Sequence, residues 1–289
     1  MKYFICIPRG GISDILNVIN FCLEYSIKYN RILIIHPNTD GWIQDKLIKY
    51  ITFNHPSIYN DDNVYKKLKE LEKTTIFPNE IKDLEICKNK YINDCYYIIT
   101  TNDNNDDVFI NSNIDLERDY TEDAIIYCNC EGGIPKNILN YIKINKIVLD
   151  VYYTRMSKLN ENYISIHIRN TDRKTDDVEG FINSIKNKID KSDCVFLASD
   201  CSKTIEYIKN IYQDKIYTFS KITDNNGKNM HYYYDKNMLT NEELVIDCIV
   251  DLLMLSSAKE YYFSNPKSSY SLTANYLFSN KGVLDGLLR

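Results

Sequence analysis

Short apolar runs alternate with longer stretches of helical periodicity from the first residues onward. Tyr3 to Ile7 reads as a buried strand, ended by a glycine turn at Gly10-Gly11. Ile15, Val18, Ile19, Cys22 and Leu23 then recur at helical spacing, with Ser13 or Asp14 as N-cap and Asn30 at the close. Arg31 to His36 is a second buried strand. A strand, a helix and a further strand in this order predict a parallel sheet with crossover helices.

In the middle, the pattern predicts helices near 42–50 and 62–73, strands near 95–101 and 123–128, and an Asp/Asn-rich loop at 102–107. A helix at 136–146 and a second at 147–159 follow. From Tyr163 the alternation sharpens. Strands are expected at 163–169, 194–199, 215–219 and 260–263, and helices at 178–189, 202–212, 242–257 and 269–278, with a polar loop over 221–237. Four strands alternating with helices make a Rossmann-like half. The expected fold is α/β, two Rossmann-like lobes facing a cleft, with lobes 1–155 and 156–289.

Composition narrows the function. The chain has 289 residues, 44% hydrophobic and 26% charged, with net charge −5. This is a globular composition, and its acidic balance argues against coating nucleic acid or an anionic membrane. No apolar run approaches the ~18 residues that span a bilayer. The first residues read as a strand and not a signal peptide, so a cytoplasmic location is expected. Nine cysteines are scattered, and Cys128-Asn129-Cys130 has no second pair at ligand spacing, so no metal site is expected.

In open α/β sheets ligands bind beyond the carboxyl ends of the strands, and four such junctions carry unusual residues. The strand at 163–169 carries His167 and ends on Arg169, before the charged run Asn170-Thr-Asp-Arg-Lys-Thr-Asp-Asp177. An arginine based in a core strand offers a fixed fork to two phosphate oxygens. Asp172 can hold it in place, and Asp176, Asp177 or Glu179 can reach a substrate hydroxyl. His167 by itself reads as a core histidine. At the second junction, Asp200 reads equally as the cap of helix 202–212 and as an acceptor for a base or ribose. At the third, Glu243, Asp247 and Asp251 form a like-charged stripe, which alone reads as a solvated face. Ser268-Ser269 opens the last helix, where N–H groups and hydroxyls form an anion site or a simple cap. At the fourth, Gly10 and Gly11 permit close backbone approach, and Arg9 and Asp14 flank them; a plain turn is the other reading.

Taken together, these residues resemble a known family. Ile166-His-Ile-Arg-Asn-Thr-Asp-Arg173 is similar to the His-x-Arg-Arg-Thr-Asp-Lys signature of the core α1,6-fucosyltransferases and their nodulation and protein O-fucosyltransferase relatives. Leu197-Ala-Ser-Asp200 resembles the family's Leu-Ala-Thr-Asp. Asp251-Leu-Leu-Met-Leu-Ser256 resembles its Asp-x-x-x-Leu-Ser, with a Ser-Ser pair following. The loop Gly10-Gly11-Ile-Ser-Asp14 resembles the Gly-rich first loop of the nodulation enzymes. The resemblance spans 3–36 and 163–278. The family's second arginine is Asn170 here, its lysine is Arg173, and its glutamate base falls near Asp177.

The resemblance implies an inverting, metal-independent GT-B glycosyltransferase that transfers fucose from GDP-fucose to a glycan or glycoprotein hydroxyl; the lack of a membrane anchor departs from the family's Golgi enzymes and suggests a bacterial or viral setting. Arg169 would bind the β-phosphate, with His167, Asp172, Arg173 and Asp200 around the nucleotide. Asp251 would approach guanine, and Ser268, Ser269 and Tyr270 the diphosphate. Gly10, Gly11, Arg9 and Asp14 would line the donor or acceptor site. Asp177 and Asp14 are the candidate bases. No cofactor is implied beyond the donor substrate. The alternatives are another nucleotide-sugar donor and a non-catalytic relative that binds nucleotide or glycan.

Overall fold

A computed structural model describes residues 2–36, 47–59, 70, 75–81, 88–92, 95–101, 107–172, 175–224 and 235–289. Contacts divide the chain into two units, Met1–Lys143 and Ile144–Arg289.

The first unit opens with β1 (Lys2–Pro8), α1 (Ile12–Lys28) and β2 (Arg31–Ile35). Short strands β3 (Ile51–Phe53), β4 (Ile58–Tyr59) and β5 (Ile76–Phe77) follow. Then come β6 (Lys88–Ile92), β7 (Cys95–Thr101), β8 (Asp107–Asn111), β9 (Ala124–Asn129) and β10 (Ile142–Ile144). The main sheet has the order β4-β2-β1-β9-β5, with every neighbouring pair parallel. β6, β7 and β8 form a separate antiparallel meander. Because β2 lies on one side of β1 and β9 on the other, strand order reverses at β1. The loops after β1 and β9 meet there, and Arg9 N–H donates to Asn129 O at 2.9 Å.

Helix α1 forms as its apolar spacing requires, with Ile12, Ile15, Leu16, Val18, Ile19, Cys22 and Leu23 buried. Its N-cap is Gly11, neither Ser13 nor Asp14. Asp14 sits at the third helical position, and its carboxylate accepts the Gly11 N–H at 3.2 Å. Gly10 has φ +92°, and a Cβ there would lie 2.5 Å from Cys130 Sγ and 2.8 Å from Asp14 Cβ. Gly10→Ala is therefore expected to destabilise the chain by about 1–3 kcal/mol. A thermal denaturation midpoint equal to wild type would contradict this. Arg31, fully buried, ties the sheet to the loop before β9: its guanidinium donates to Tyr3 O, Tyr120 O and Glu122 O and pairs with Asp119.

The second unit contains α2 (Lys146–Met156), β11 (Ile164–Ile168), α3 (Val178–Lys191), β12 (Val195–Ser199), α4 (Ser202–Tyr212) and β13 (Ile216–Tyr217). It ends with α5 (Asn241–Ser257), β14 (Glu260–Phe263), α6 (Ser269–Ser279) and α7 (Lys281–Leu287). Its parallel sheet runs β13-β12-β11-β14. In chain order this is 3-2-1-4, the order of a doubly wound mononucleotide-binding fold. Side-chain alternation along β11 separates the two covering layers. Ile164, Ile166 and Ile168 join a cluster with Ile182, Ile185 and Ile189 of α3. Burial of each such isoleucine is worth about 1.5–3 kcal/mol. Ser165 and His167 point to the opposite face, bonding Leu255 O of α5 and Ser271 of α6.

Three expectations change. The stretch 136–146 is a short 3-10 turn at Ile138–Tyr141 followed by β10, paired with β3. Ile142 and Ile144 are buried while Lys143 is exposed, a period of two hidden inside an apolar stretch that also fits a helix. The unit boundary falls after Lys143, so α2 belongs with the second unit, not the first. It packs along α5, where Tyr152 Oη and Ser257 Oγ lie 2.8 Å apart. Near 42–50 the described part is only a 3-10 turn at Leu47–Lys49; residues 42–46, most of 62–73 and most of 102–107 lie outside the described residues. No helix among the described residues is long and apolar enough to cross a membrane.

Candidate nucleotide-sugar site

In the 3-2-1-4 order the switch point lies between β11 and β14, and the loops that leave their carboxyl ends are tied together. Ser264 N–H donates to His167 O at 3.0 Å. Thr175 Oγ1 donates to Arg169 O at 2.7 Å and lies 2.7 Å from Ser264 Oγ. Arg169 continues the alternation of Ser165 and His167 one step beyond the strand. Its Nη2 meets Asp172 at 2.6 Å and its Nη1 meets Asp200 at 2.8 Å. Two carboxylates thus hold one guanidinium, using two of its five N–H donors and fixing its plane.

Asp200 has a wider role than either sequence reading gave it. The N-cap of α4 is Cys201, and Asp200 instead accepts the Asn170 N–H at 2.7 Å and the Thr171 hydroxyl. Asp200, 8% exposed, ties the loop after β11 to the end of β12 through its carboxylate. Asn170, which stands where the family signature has a second arginine, turns its amide to Thr204 Oγ1 of α4 at 2.9 Å. The departure at 170 therefore leaves a single arginine at this point. Arg173 lies outside the described residues.

His167 is buried, with Nδ1 2.6 Å from Ser271 Oγ and its ring 5.0 Å from that of Tyr270. Burial, with the nearby Arg169 charge, pushes its pKa down to about 3, so it is a neutral imidazole. Tyr270 also donates to Cys248 O of α5 at 2.7 Å, and burial raises its pKa. These two residues brace the base of the site. Ser268 is the N-cap of α6, its hydroxyl accepting the Ser271 N–H, and Ser269 is the first helical residue. A helix N-terminus thus stands beside the Arg169 loop, with first-turn N–H groups that have no acceptor within the helix.

The acidic stripe is not a solvated face. Only Glu243 is not buried, and it closes a capping box with Thr240. Asp247 and Asp251 are buried and share Arg155 from α2, while Asp251 also accepts the Ser220 hydroxyl at 2.8 Å. Burial pushes Asp251 up to about 7 and raises Asp247 against the pull of Arg155. Arg155, Ser220, Thr171, Thr175 and Ser264 escaped the sequence reading. The last two carried a legible signal, a hydroxyl close to a strand end, whereas Arg155 looked like any basic residue in a last helical turn.

The remaining candidates are separate. Asp177 is the N-cap of α3, its Oδ1 accepting the Gly180 N–H at 2.7 Å. Gly10, Gly11 and Asp14 belong to the first unit, where they shape the turn at its own switch point. There Asn129 Nδ2 and Tyr127 Oη both bond Glu131 Oε1, at 2.8 and 3.2 Å.

No protein-family model and no curated protein matches the sequence. Solved structures do match it. Fucosyltransferase NodZ from Bradyrhizobium aligns with 96% of this chain and 94% of its own, at 14% identity and TM-score 0.65. NodZ α1,6-fucosyltransferase soaked with GDP-fucose aligns over 96% and 93%, at 14% identity and TM-score 0.63. The apo form of POFUT1 aligns over 95% and 94%, at 11% identity and TM-score 0.53. The chain has the GT-B α/β fold of these fucosyltransferases.

Proposed function

We propose that this chain is a glycosyltransferase of the fucosyltransferase superfamily, transferring fucose from GDP-fucose to a hydroxyl of a glycan or glycoprotein. The observation that carries the reading is the pairing, at one switch point, of Arg169 after β11 with the Ser268-Ser269 helix start after β14. A nucleoside diphosphate is suited by a fixed cation beside the positive end of a helix dipole, and this junction offers that combination.

The reaction follows as a direct displacement with inversion. The acceptor oxygen attacks the anomeric carbon as the bond to the β-phosphate oxygen breaks, and the hydroxyl proton leaves to a base. Negative charge grows on the leaving GDP. Arg169, held by Asp172 and Asp200, and the N-terminus of α6 stabilise that charge more in the transition state than before it. These groups do the work a divalent cation does in other transferases, so the transfer is proposed to be metal-independent. Asp251 recognises guanine, whose N1–H and N2–H₂ take the place of the rotatable Ser220 hydroxyl. Asp177 and Asp14 are the candidate bases; Asp177 accepts the Gly180 N–H and Asp14 the Gly11 N–H.

Isothermal titration with GDP, UDP and dTDP, each with EDTA present, tests the reading. Selective binding of GDP and release of GDP from GDP-fucose in the presence of oligosaccharide acceptors are expected. Preference for UDP or dTDP would discard fucose as the donor sugar. GDP binding without turnover would leave a binding protein, and no binding of any nucleotide would remove the site.

A further inference from the structure

Ser165, His167 and Arg169 alternate onto one face of β11 and its extension. Residues two apart on an extended chain are separated by roughly 6.6 Å, so the imidazole and the guanidinium are neighbours on that face. The two ring nitrogens of His167 have different surroundings. Nδ1 lies 2.6 Å from Ser271 Oγ. Nε2 makes no hydrogen bond among the described residues, yet it is not one of their buried unpaired atoms. It therefore reaches solvent, although the residue as a whole is only 5% exposed.

Ser271 decides which nitrogen carries the proton. It is fully buried, and both of its backbone groups are fixed: its N–H donates to Ser268 Oγ at 3.3 Å, and its O accepts the Tyr261 hydroxyl at 3.2 Å. Its own hydroxyl meets His167 and no other partner among the described residues. Were Nδ1 protonated, it would donate to Oγ and leave the serine proton buried without an acceptor, which costs the desolvation of an unmade hydrogen bond. With the hydroxyl donating to Nδ1, every buried proton of the pair is satisfied. The ring is neutral, as burial beside Arg169 requires, so its single proton then sits on Nε2. Tyr270, its ring 5.0 Å away and its hydroxyl tied to Cys248 O, backs the imidazole and limits its rotation.

We infer that Ser271 is a positioning residue that holds His167 as the Nε2–H tautomer, and that this N–H is a hydrogen-bond donor to the donor-substrate diphosphate beside Arg169. This rests on the donor-site reading above. A neutral donor suits the place, because it bonds a phosphate oxygen without adding a second buried positive charge next to the guanidinium. It also adds a fixed donor to those of Arg169, two of which already serve Asp172 and Asp200.

Nitrogen-resolved NMR of the histidine-labelled chain tests the tautomer, with the His167 signals identified by their loss in His167→Gln. Near pH 7 the pattern of a ring protonated on Nε2 is expected. GDP should shift the Nε2 resonance of His167, and guanosine, which has no phosphate, should not. In titrations, Ser271→Ala should bind GDP about fivefold more weakly with unchanged guanosine affinity, and Ser271→Thr, which keeps the hydroxyl, should restore it. A wild-type ring protonated on Nδ1 would overturn the inference, as would an Nε2 resonance indifferent to bound GDP. Equal weakening of GDP and guanosine in Ser271→Ala would also overturn it, marking a role in packing alone. Failure of wild type itself to bind GDP would overturn the donor-site reading, and this inference with it.

Discussion

Under the proposed function, Arg169→Ala should lower fucose transfer by about a thousandfold while the protein stays folded. That factor corresponds to roughly 4 kcal/mol of transition-state stabilisation. The guanidinium lies beyond the end of β11, not in its core, and its loss leaves Asp200 still bonded to the Asn170 N–H and the Thr171 hydroxyl. The loop therefore keeps two of its ties. Asp172 and Asp200 lose their shared cation and repel the incoming diphosphate, which compounds the missing attraction. Arg169→Lys should fall between the two, since an ammonium group keeps the charge but cannot bridge both carboxylates and a phosphate in one plane. Release of GDP from GDP-fucose, with a thermal melt of each variant, measures both halves of the expectation. Transfer at the wild-type rate in Arg169→Ala would remove the phosphate assignment.

The largest stability effect is expected at Arg155. Its guanidinium lies between Asp247 and Asp251, one turn apart on α5, and all three side chains are about seven-eighths buried. Arg155→Met leaves two carboxylates in a low-dielectric site with no cation, at a cost of about 3–5 kcal/mol near neutral pH. The pH dependence has a definite sign. Asp251 titrates at about 7 in the folded chain, above its value when unfolded, because burial disfavours its charged form. Folding therefore takes up a proton, and the stability linked to that proton is fully present below the unfolded pKa and lost as pH rises through about 7. The deficit of Arg155→Met relative to wild type should grow from pH 5 to pH 8, because a protonated Asp251 needs no counter-charge. Asp247→Asn in the Arg155→Met background should recover part of the loss. Denaturant unfolding across that range would show it; a deficit that is small or independent of pH would refute the account.

Legibility in the sequence followed how local each determinant was. The helix at 202–212 and the strands at 95–101 and 260–263 match the structure because their periodicity is written within a few adjacent residues. The segment 136–146 was misread because Ile138, Leu139, Ile142 and Ile144 satisfy helical and extended spacing alike, and only pairing with β3 decides between them. The placement of α2 was misread for a similar reason: nothing in residues 146–156 states that their partner is α5, about a hundred residues later.

At the site, residue types and strand ends marked Arg169, Asp172, Asp200, Ser268 and Ser269 from the sequence alone, since each must lie where a strand gives way to a loop or a helix begins. The sequence likewise determined two α/β halves and the resemblance to fucosyltransferases. Tertiary structure decided what those groups do to one another. It placed Arg169 between two carboxylates, made Asp200 a tie between two loops, and turned Asn170 towards Thr204. It also buried Asp247 and Asp251 against an arginine from another helix. The physical reason is range: periodicity and capping act over a few residues, whereas ion pairing and burial depend on strand order, which brings distant segments within about 3 Å of each other.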